Sequence, residues 1–360
     1  MQRAPVMADV ARLAGVSPKT VSRVVNDAPN VRDSVRARVN EAIVQLGFRP
    51  NAAARTLASQ RSRVVGIVSL GSSLYGPSEQ LFGLERCIRE AGYSVEIVTT
   101  AGGSHQEVIA ATDRLLAHGV DGIALAAPLA DVDLDAPEFR GVPCVAVGDP
   151  VPAPAHLRIV ACDQRTGAHR AVEHLLGLGH DTVHHVSGPP SWASSQAREQ
   201  AWRQALIDAG RLVPAPLRGD WSPRSGYEAG LVLAERPDVT AVFVANDHMA
   251  TGLLRAMWET GRRVPDDVSV VGFDDAPESG FLFAPLTTVR QPFRDITSKA
   301  VTELVAAMVG GDVAAAAANS LVLPVELVVR ASSGPPPPLV HAPVAAPRRT
   351  RPDHQQQGDR

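Results

Sequence analysis

DVARLAGVSPKTVSRVVN occupies residues 9–26 and carries two short apolar rhythms separated by a tight polar break. Residues 9–14 have an amphipathic helical pattern with Val10, Ala11, Leu13 and Ala14 on one side, and Gly15 supplies the left-handed stop. Ser17 suits an N-cap and Pro18 a first helical turn, and the helical pattern resumes over residues 20–26. Helix, tight turn, helix is the spacing of a helix-turn-helix, whose second helix offers its N-terminal side chains to base edges in the DNA major groove. Those side chains are Pro18, Lys19 and Arg23. Arg23 can fork onto guanine O6 and N7, Lys19 can reach guanine or phosphate, and Thr20, Ser22 and Asn26 are short polar groups suited to phosphate oxygens. Val21 and Val24 must then face inward. A third helix is predicted over 33–46 from the spacing of Val35, Val39, Ala42, Ile43 and Leu46, closed by Gly47.

Charge separates this end from the rest of the chain. Residues 1–63 hold 11 Lys and Arg against 4 Asp and Glu, a balance of +7, whereas the remaining 297 residues hold 24 against 34, a balance of −10. A basic module on an acidic body is the electrostatic footprint of nucleic-acid binding, because cationic side chains release phosphate counterions.

The stretch 9–26, followed by LGFRPNAAARTLAS at 46–59, resembles the DNA-binding end of the lactose-repressor and galactose-repressor (LacI/GalR) family. That resemblance implies a hinge helix matching Asn51 to Ala58, which folds on the operator, pairs with its twin and enters the minor groove. Asn51 and Ala54 would meet DNA there and Leu57 would be the wedge that unstacks a base step. Two departures concern helix caps, since the family places hydroxyl residues where Val6 and Arg32 stand; a missing N-cap costs about 1 kcal/mol.

Beyond residue 63 short apolar runs alternate with helical stretches: VVGIVSL, YSVEIVTT, GIALAAP, CVAVGD, TVHHVSG, AVFVAND, VSVVGFDD and LTTVRQ. Such alternation predicts an α/β fold with parallel sheets, which take ligands outside the carboxyl ends of their strands. Those ends carry Asp149, Ser187-Gly188-Pro189, Asn246-Asp247 and Asp274-Asp275. The resemblance covers this region too. It implies a two-lobed body like the periplasmic binding proteins of type I, with crossings between lobes near Ala161, Gln291 and Leu321.

The positions that match the family's effector contacts are Leu74, Asp149, Arg198, Trp221, Asn246, Asp274, Gln291 and Phe293. Planar donors and acceptors suit vicinal hydroxyls, and an indole suits the apolar face of a sugar ring, a role open to Trp221 and Trp192. Trp202 and Trp258 sit in helical patterns and are expected in the core, and Leu74, Phe293 and Asn246 also have a plain reading as core packing or strand-end capping. GDWSPRSG, VFVANDHMATG and PLTTVRQPF resemble the sugar-responsive branch of the family more than the purine-responsive one. A saccharide effector that releases the protein from a palindromic operator is therefore expected, with corepression the alternative.

The expected organisation is a helix-turn-helix domain at 1–50, hinge helix and linker at 51–63, a two-lobed effector-binding and dimerisation domain at 64–330, and a disordered proline-rich tail at 331–360. The tail has no leucine heptad, which argues for a homodimer rather than a tetramer. At 45% hydrophobic and 20% charged the chain has a globular composition, with neither a signal peptide nor a membrane-spanning run, so a cytoplasmic location is expected. The three cysteines are too scattered for a disulfide framework or zinc site, and no cofactor is expected. HExxH, GxSxG, GxGxxG and GxxxxGK[ST] are all missing, which argues against an enzyme. His169, His174, His180, His184, His185 and His248 are expected in surface or capping roles. A sugar-binding transport component would share the body's fold, but it would carry an export signal in place of the DNA-reading module.

Overall fold

The computed structural model describes residues 5–25, 29–48, 61–127, 132–148, 154, 156–310 and 320–338. Its N-terminal module consists of α1 (Met7–Ala14), α2 (Pro18–Val25) and α3 (Asp33–Leu46). Gly15 and Gly47 close α1 and α3 in the left-handed region, φ 64° and 61°. Ser17 Oγ accepts the Thr20 N–H at 3.2 Å and so caps α2. Val6 and Arg32 supply no side-chain cap; instead the Asp9 carboxylate accepts the Val6 N–H at 3.0 Å, which satisfies one orphan donor at the start of α1. Val10, Ala11, Ala14, Val21, Val24, Val39, Ala42 and Phe48 form the core. Leu13, expected inside, is 47% exposed: it falls at the edge of the face that Val10, Ala11 and Ala14 bury.

The chain changes compact unit three times, after Asp163, Gln291 and Pro324, each within three residues of the crossings the resemblance implies. The first body unit contains β1 (Val64–Leu70), α4 (Tyr75–Glu90), β2 (Ser94–Thr100), α5 (His105–Ala117), β3 (Gly122–Ala126), β4 (Cys144–Gly148), β5 (Leu157–Cys162), α10 (Phe293–Met308) and β11 (Ser320–Leu323). Its six-stranded sheet runs β11-β5-β4-β3-β1-β2, parallel throughout. β1 and β3 are apolar and buried along nearly their whole length, as strands covered on both faces by helices must be, while edge strand β2 is half exposed.

The second unit contains α6 (Gln164–Gly177), β6 (His184–Ser187), α7 (Ala193–Asp208), β7 (Leu217–Arg218), α8 (Pro223–Ala234), β8 (Ala241–Val244), α9 (Asp247–Glu259), β9 (Ser269–Asp274), β10 (Thr287–Arg290) and β12 (Glu326–Val328). The sheet order is β12-β10-β9-β8-β6-β7, with only the β10–β12 pair antiparallel among the described strands. Helices α8 and α9 touch backbone to backbone: a Cβ on Gly252 would stand 1.8 Å from the Pro223 carbonyl oxygen, so no larger residue fits there.

Two strap-like features bracket the body. Immediately before β1, the Asp121 carboxylate accepts the N–H groups of Ser62 and Arg63, each at 2.8 Å, and the Ser62 hydroxyl at 2.9 Å. This holds Arg63 at φ 56°, unusual for a residue with a side chain. At the other end, residues 331–338 are ordered, which corrects the expectation of a disordered tail from 331 onward. Ser332 is fully buried and bonds Val270 and Thr287, while the Gly334 carbonyl accepts the Ser269 hydroxyl at 2.8 Å. Small polar residues at 332–334 extend the fold through backbone and hydroxyl bonds, which a search for apolar runs does not detect.

Candidate functional site

The DNA-reading face follows from the core of the N-terminal module. Val21 and Val24 are buried, so α2 turns Pro18, Lys19 and Arg23 to solvent, with Thr20 and Ser22 half-buried. The Thr20 hydroxyl lies 2.9 Å from Ser17 Oγ, which ties it to the α2 cap. Asn26, Asn51, Ala54 and Leu57 lie outside the described residues.

In the second unit the end of β9 and the segments that follow β6, β7, β8 and β10 carry Trp192, Arg198, Trp221, Asn246, Asp274 and Gln291. Arg198 projects from α7 and is 4% exposed. Its Nε donates to Gln164 Oε1 at 2.8 Å, one Nη donates to the Ala245 carbonyl, and its guanidinium carbon stacks 3.7 Å over the Phe273 ring. Asp274 closes β9, its Oδ1 3.9 Å from Arg198 Nη1 and 2.6 Å from the donating Gln291 Nε2. Gln164 Nε2 donates to Gln291 Oε1 at 3.5 Å, completing a buried ring of Arg198, Gln164, Gln291 and Asp274.

Trp221 forms one wall. A Cβ on Gly188 would stand 2.3 Å from its indole, so the strand-end glycine lets the ring lie against backbone. Trp192 meets it edge-on, centroids 5.7 Å apart at 69°. The Trp221 indole N–H is buried and has no partner among the described residues, leaving a donor for a ligand. Asn246 supports this wall: its Nδ2 donates to the Trp221 carbonyl at 3.1 Å and its Oδ1 accepts the Met249 N–H at 2.9 Å, capping α9. Trp221 and Asp274 both hold positive φ, 73° and 125°, a concentration of backbone strain typical of binding sites.

Burial raises the Asp274 carboxyl above the ordinary range, opposed by Arg198 and by the Gln291 hydrogen bond. Asp247 lies behind it, raised by burial and then by the charge of Asp274. Its carboxylate accepts Ala276 N at 2.8 Å, Ser279 Oγ at 2.7 Å and Thr288 Oγ1 at 2.6 Å, so it knits together the loops that carry Asp274. Asp275 turns the other way and pairs with Arg290 and Arg330, each at 2.6 Å.

Leu74 and Phe293 belong to the first unit. Leu74 precedes α4, and Phe293 begins α10, buried with an edge contact to Tyr75 at 5.7 Å. Asp149 lies outside the described residues. Gln164 was missed by sequence reasoning, since a glutamine opening a helix carries no signal of its own; Asp247 was noted only as a strand-end acid, not as the group that knits these loops together.

Three histidines are corrected from surface roles to the interior: His180, His184 and His185 are buried. His185 is sandwiched between Trp202 and Phe243, centroids 5.0 and 4.9 Å away, and hydrogen-bonds the Phe243 carbonyl at 2.9 Å. Trp202 is fully buried, but Trp258, expected in the core, is 68% exposed beneath the Arg255 guanidinium. No group of three or more His, Cys, Asp or Glu residues able to hold a metal ion occurs among the described residues. None of their helices is long and apolar enough to cross a membrane.

This arrangement matches known proteins along nearly the whole chain. Residues 6–51 match the model for bacterial regulatory proteins of the lacI family, and residues 172–333 match the periplasmic binding protein-like domain. The lactose operon repressor of Escherichia coli (strain K12) is 34% identical over 323 residues, 89% of each chain. The HTH-type transcriptional regulator CelR of Thermobifida fusca is 33% identical over 343 residues, 92% of this chain and 99% of that one. Among solved structures, the lac repressor dimer bound to operator and the anti-inducer ONPF superposes with TM-score 0.83 at 32% identity, covering 92% of this chain and all of that one. The CelR–cellobiose complex gives 0.64 at 31% identity, covering 91% of this chain and 100% of the other. With its helix-turn-helix module and two parallel-sheet lobes, the chain belongs to the lacI family of bacterial regulatory proteins.

Proposed function

We propose that this chain is a cytoplasmic repressor, a homodimer that holds double-stranded operator DNA and lets go when a saccharide binds among Trp192, Arg198, Trp221, Asn246, Asp274 and Gln291. The observation that carries the proposal is the buried ring of Arg198, Gln164, Gln291 and Asp274 beside an indole whose N–H has no partner among the described residues. Fixed donors and acceptors next to an aromatic wall are what a sugar's hydroxyls and its apolar face require. Relatives named for lactose and ribose operons, and a structural neighbour holding cellobiose, support the same ligand class. On the DNA side, Lys19 and Arg23 would read or hold the major groove, and Leu57 would act as the minor-groove wedge.

Operator and effector would be linked through two states of the body, so each changes the other's affinity by the same factor. The test is a thermal-shift panel of mono- and disaccharides, since a ligand of the folded state raises stability by RT ln(1 + [L]/Kd). A sugar that raises the melting temperature and also releases an operator duplex in a mobility-shift assay is the expected result. A sugar that tightens operator binding would convert the proposal to corepression. Silence from the whole panel would overturn the saccharide assignment.

A further inference from the structure

We propose that Asp121, a residue of the first body unit, is a positioning residue for operator binding: its carboxylate fixes the point from which the DNA-binding end of the chain leaves the body. This rests on the repressor function proposed above and names a residue that sets the strength of its operator grip. Ser62 and Arg63 are the last residues before β1, which lies between β3 and β2 in its sheet. Asp121, the residue before β3, holds them from one side: Oδ1 accepts the Ser62 N–H and hydroxyl, and Oδ2 accepts the Arg63 N–H. From the other side the Ser94 N–H, at the start of β2, donates to the Arg63 carbonyl at 2.8 Å. The Asp121 N–H in turn donates to the Val64 carbonyl at 2.8 Å, so the aspartate is itself fixed.

The strand does not need these bonds, since β1 is apolar, buried along nearly its whole length and laddered to both neighbours. They act instead on the two residues that precede it. Arg63 is exposed and Ser62 half-buried, so side-chain packing does not impose the left-handed bend at Arg63; the carboxylate does. A strained residue of this kind persists only where its surroundings over-determine it. The bend matters because the tether beyond it is short. Leu57, the proposed wedge, precedes Ser62 by five residues, a span of at most roughly 18 Å. With the clamp released the first fixed residue is Val64, and the reach grows to about 25 Å. The volume open to a tethered group rises as the cube of its reach, so each wedge is diluted about threefold, and the two of a homodimer together up to about tenfold. Arg198, Asp274 and Gln291 of the sugar site belong to the second unit, so the clamp acts on operator affinity and not on sugar affinity.

The experiment compares the full-length protein with Asp121→Ala and Asp121→Asn in mobility-shift titrations on a duplex chosen by binding-site selection with the unaltered protein, and on an unrelated duplex. Amide hydrogen exchange on the same proteins reports the clamp and the sheet separately. In Asp121→Ala the Ser62 and Arg63 amides should exchange faster while β1 and β3 stay protected, and affinity for the selected duplex should fall about three- to tenfold. Affinity for the unrelated duplex, carried by phosphate contacts of the N-terminal module, should not change. Asp121→Asn keeps one acceptor oxygen for Ser62 and should fall between the two. Unchanged affinity for the selected duplex, a loss with Ser62 and Arg63 still protected, or a loss that comes with lost protection of β1 and β3 would each overturn the proposal. Repeating the titrations with lactose and with cellobiose keeps the two readings apart. If neither sugar weakens operator binding by the unaltered protein, that counts against the saccharide assignment alone, and the sugar-free comparison still decides the clamp. If the unaltered protein selects no duplex, the repressor function and the clamp fall together.

Discussion

Arg198 and Asp274 form a charge pair whose side chains are 5% and 7% exposed, with Nη1 and Oδ1 3.9 Å apart. A buried charge that loses its partner costs roughly 3–5 kcal/mol, whereas replacing both partners with apolar groups of similar volume is often neutral. Asp274→Ala is therefore expected to lower stability by about that amount and to reduce sugar affinity more than about 100-fold. The double variant Arg198→Met/Asp274→Asn, which removes the unpaired charge and leaves an oxygen for Gln291, should recover part of the stability and none of the sugar binding. Urea denaturation and calorimetry on the three proteins separate these effects; recovery of binding in the double variant would remove the pair from ligand recognition.

Gly188→Ala tests the aromatic wall. The new methyl would stand 2.3 Å from the Trp221 indole, so the ring must move. The expected cost is about 1–3 kcal/mol of stability together with a drop of at least about tenfold in sugar affinity. Operator affinity without sugar should be unchanged, as a mobility-shift titration would reveal.

On α2, Arg23 and Lys19 are exposed but are assigned different tasks. Arg23→Ala should relax base preference at one operator position, at a cost of about 1–3 kcal/mol for the preferred sequence. If Lys19 contacts phosphate, Lys19→Ala should weaken all duplexes alike and lower the salt-dependence slope by about 1. Binding-site selection and a salt titration distinguish the two patterns, and an unchanged preference in Arg23→Ala would exclude it from base readout.

The sequence made the N-terminal module legible because Gly15, Ser17, Pro18 and Gly47 act within a few residues of themselves. The strands of the body were legible for a similar reason, since buried parallel strands are continuous apolar runs. β7 and β12, of two and three residues, are too short to stand out. Within the site, Asp274 and Trp221 were marked by their loops and by family resemblance. Gln164 gained its role only when the chain returned to place Arg198 and Gln291 on either side of it, which no local pattern announces. The buried histidines were misjudged because their neighbours come from other strands and from the 332–334 segment.

His185 predicts the acid limit of the fold. Enclosure between Trp202 and Phe243 lowers its pKa from 6.5 to about 4, with burial the main cause and the bond to the Phe243 carbonyl opposing it. Below pH 6.5 the unfolded chain takes up a proton that the folded ring refuses, so this contribution to stability is complete above pH 6.5 and is lost as the pH falls toward 4. Its full size is about 3 kcal/mol. His174, His180 and His184 are shifted in the same direction by burial. Asp247 and Asp274, raised by burial, act with the opposite sign: their contribution is lost as pH rises through their folded-state values. The difference in urea stability between the unaltered protein and His185→Phe isolates the ring. It should shift against the histidine protein by roughly 2 kcal/mol or more between pH 7 and pH 4.5, and a pH-independent difference would exclude the assignment.

The segment around Ser332 also sets the order in which the protein can be made. Residues 164–291 must wait for 325–334 before β12 and the bonds to Ser269 and Thr287 exist, and the other lobe must wait for 292–324. The lobes cannot be completed until residues up to 324 and 334 have left the ribosome, whereas the core of the N-terminal module is supplied by residues up to Phe48. During synthesis, a folded DNA-reading head therefore precedes the body that would control it, and a chain stopped before Ser332 would carry the first without a finished second.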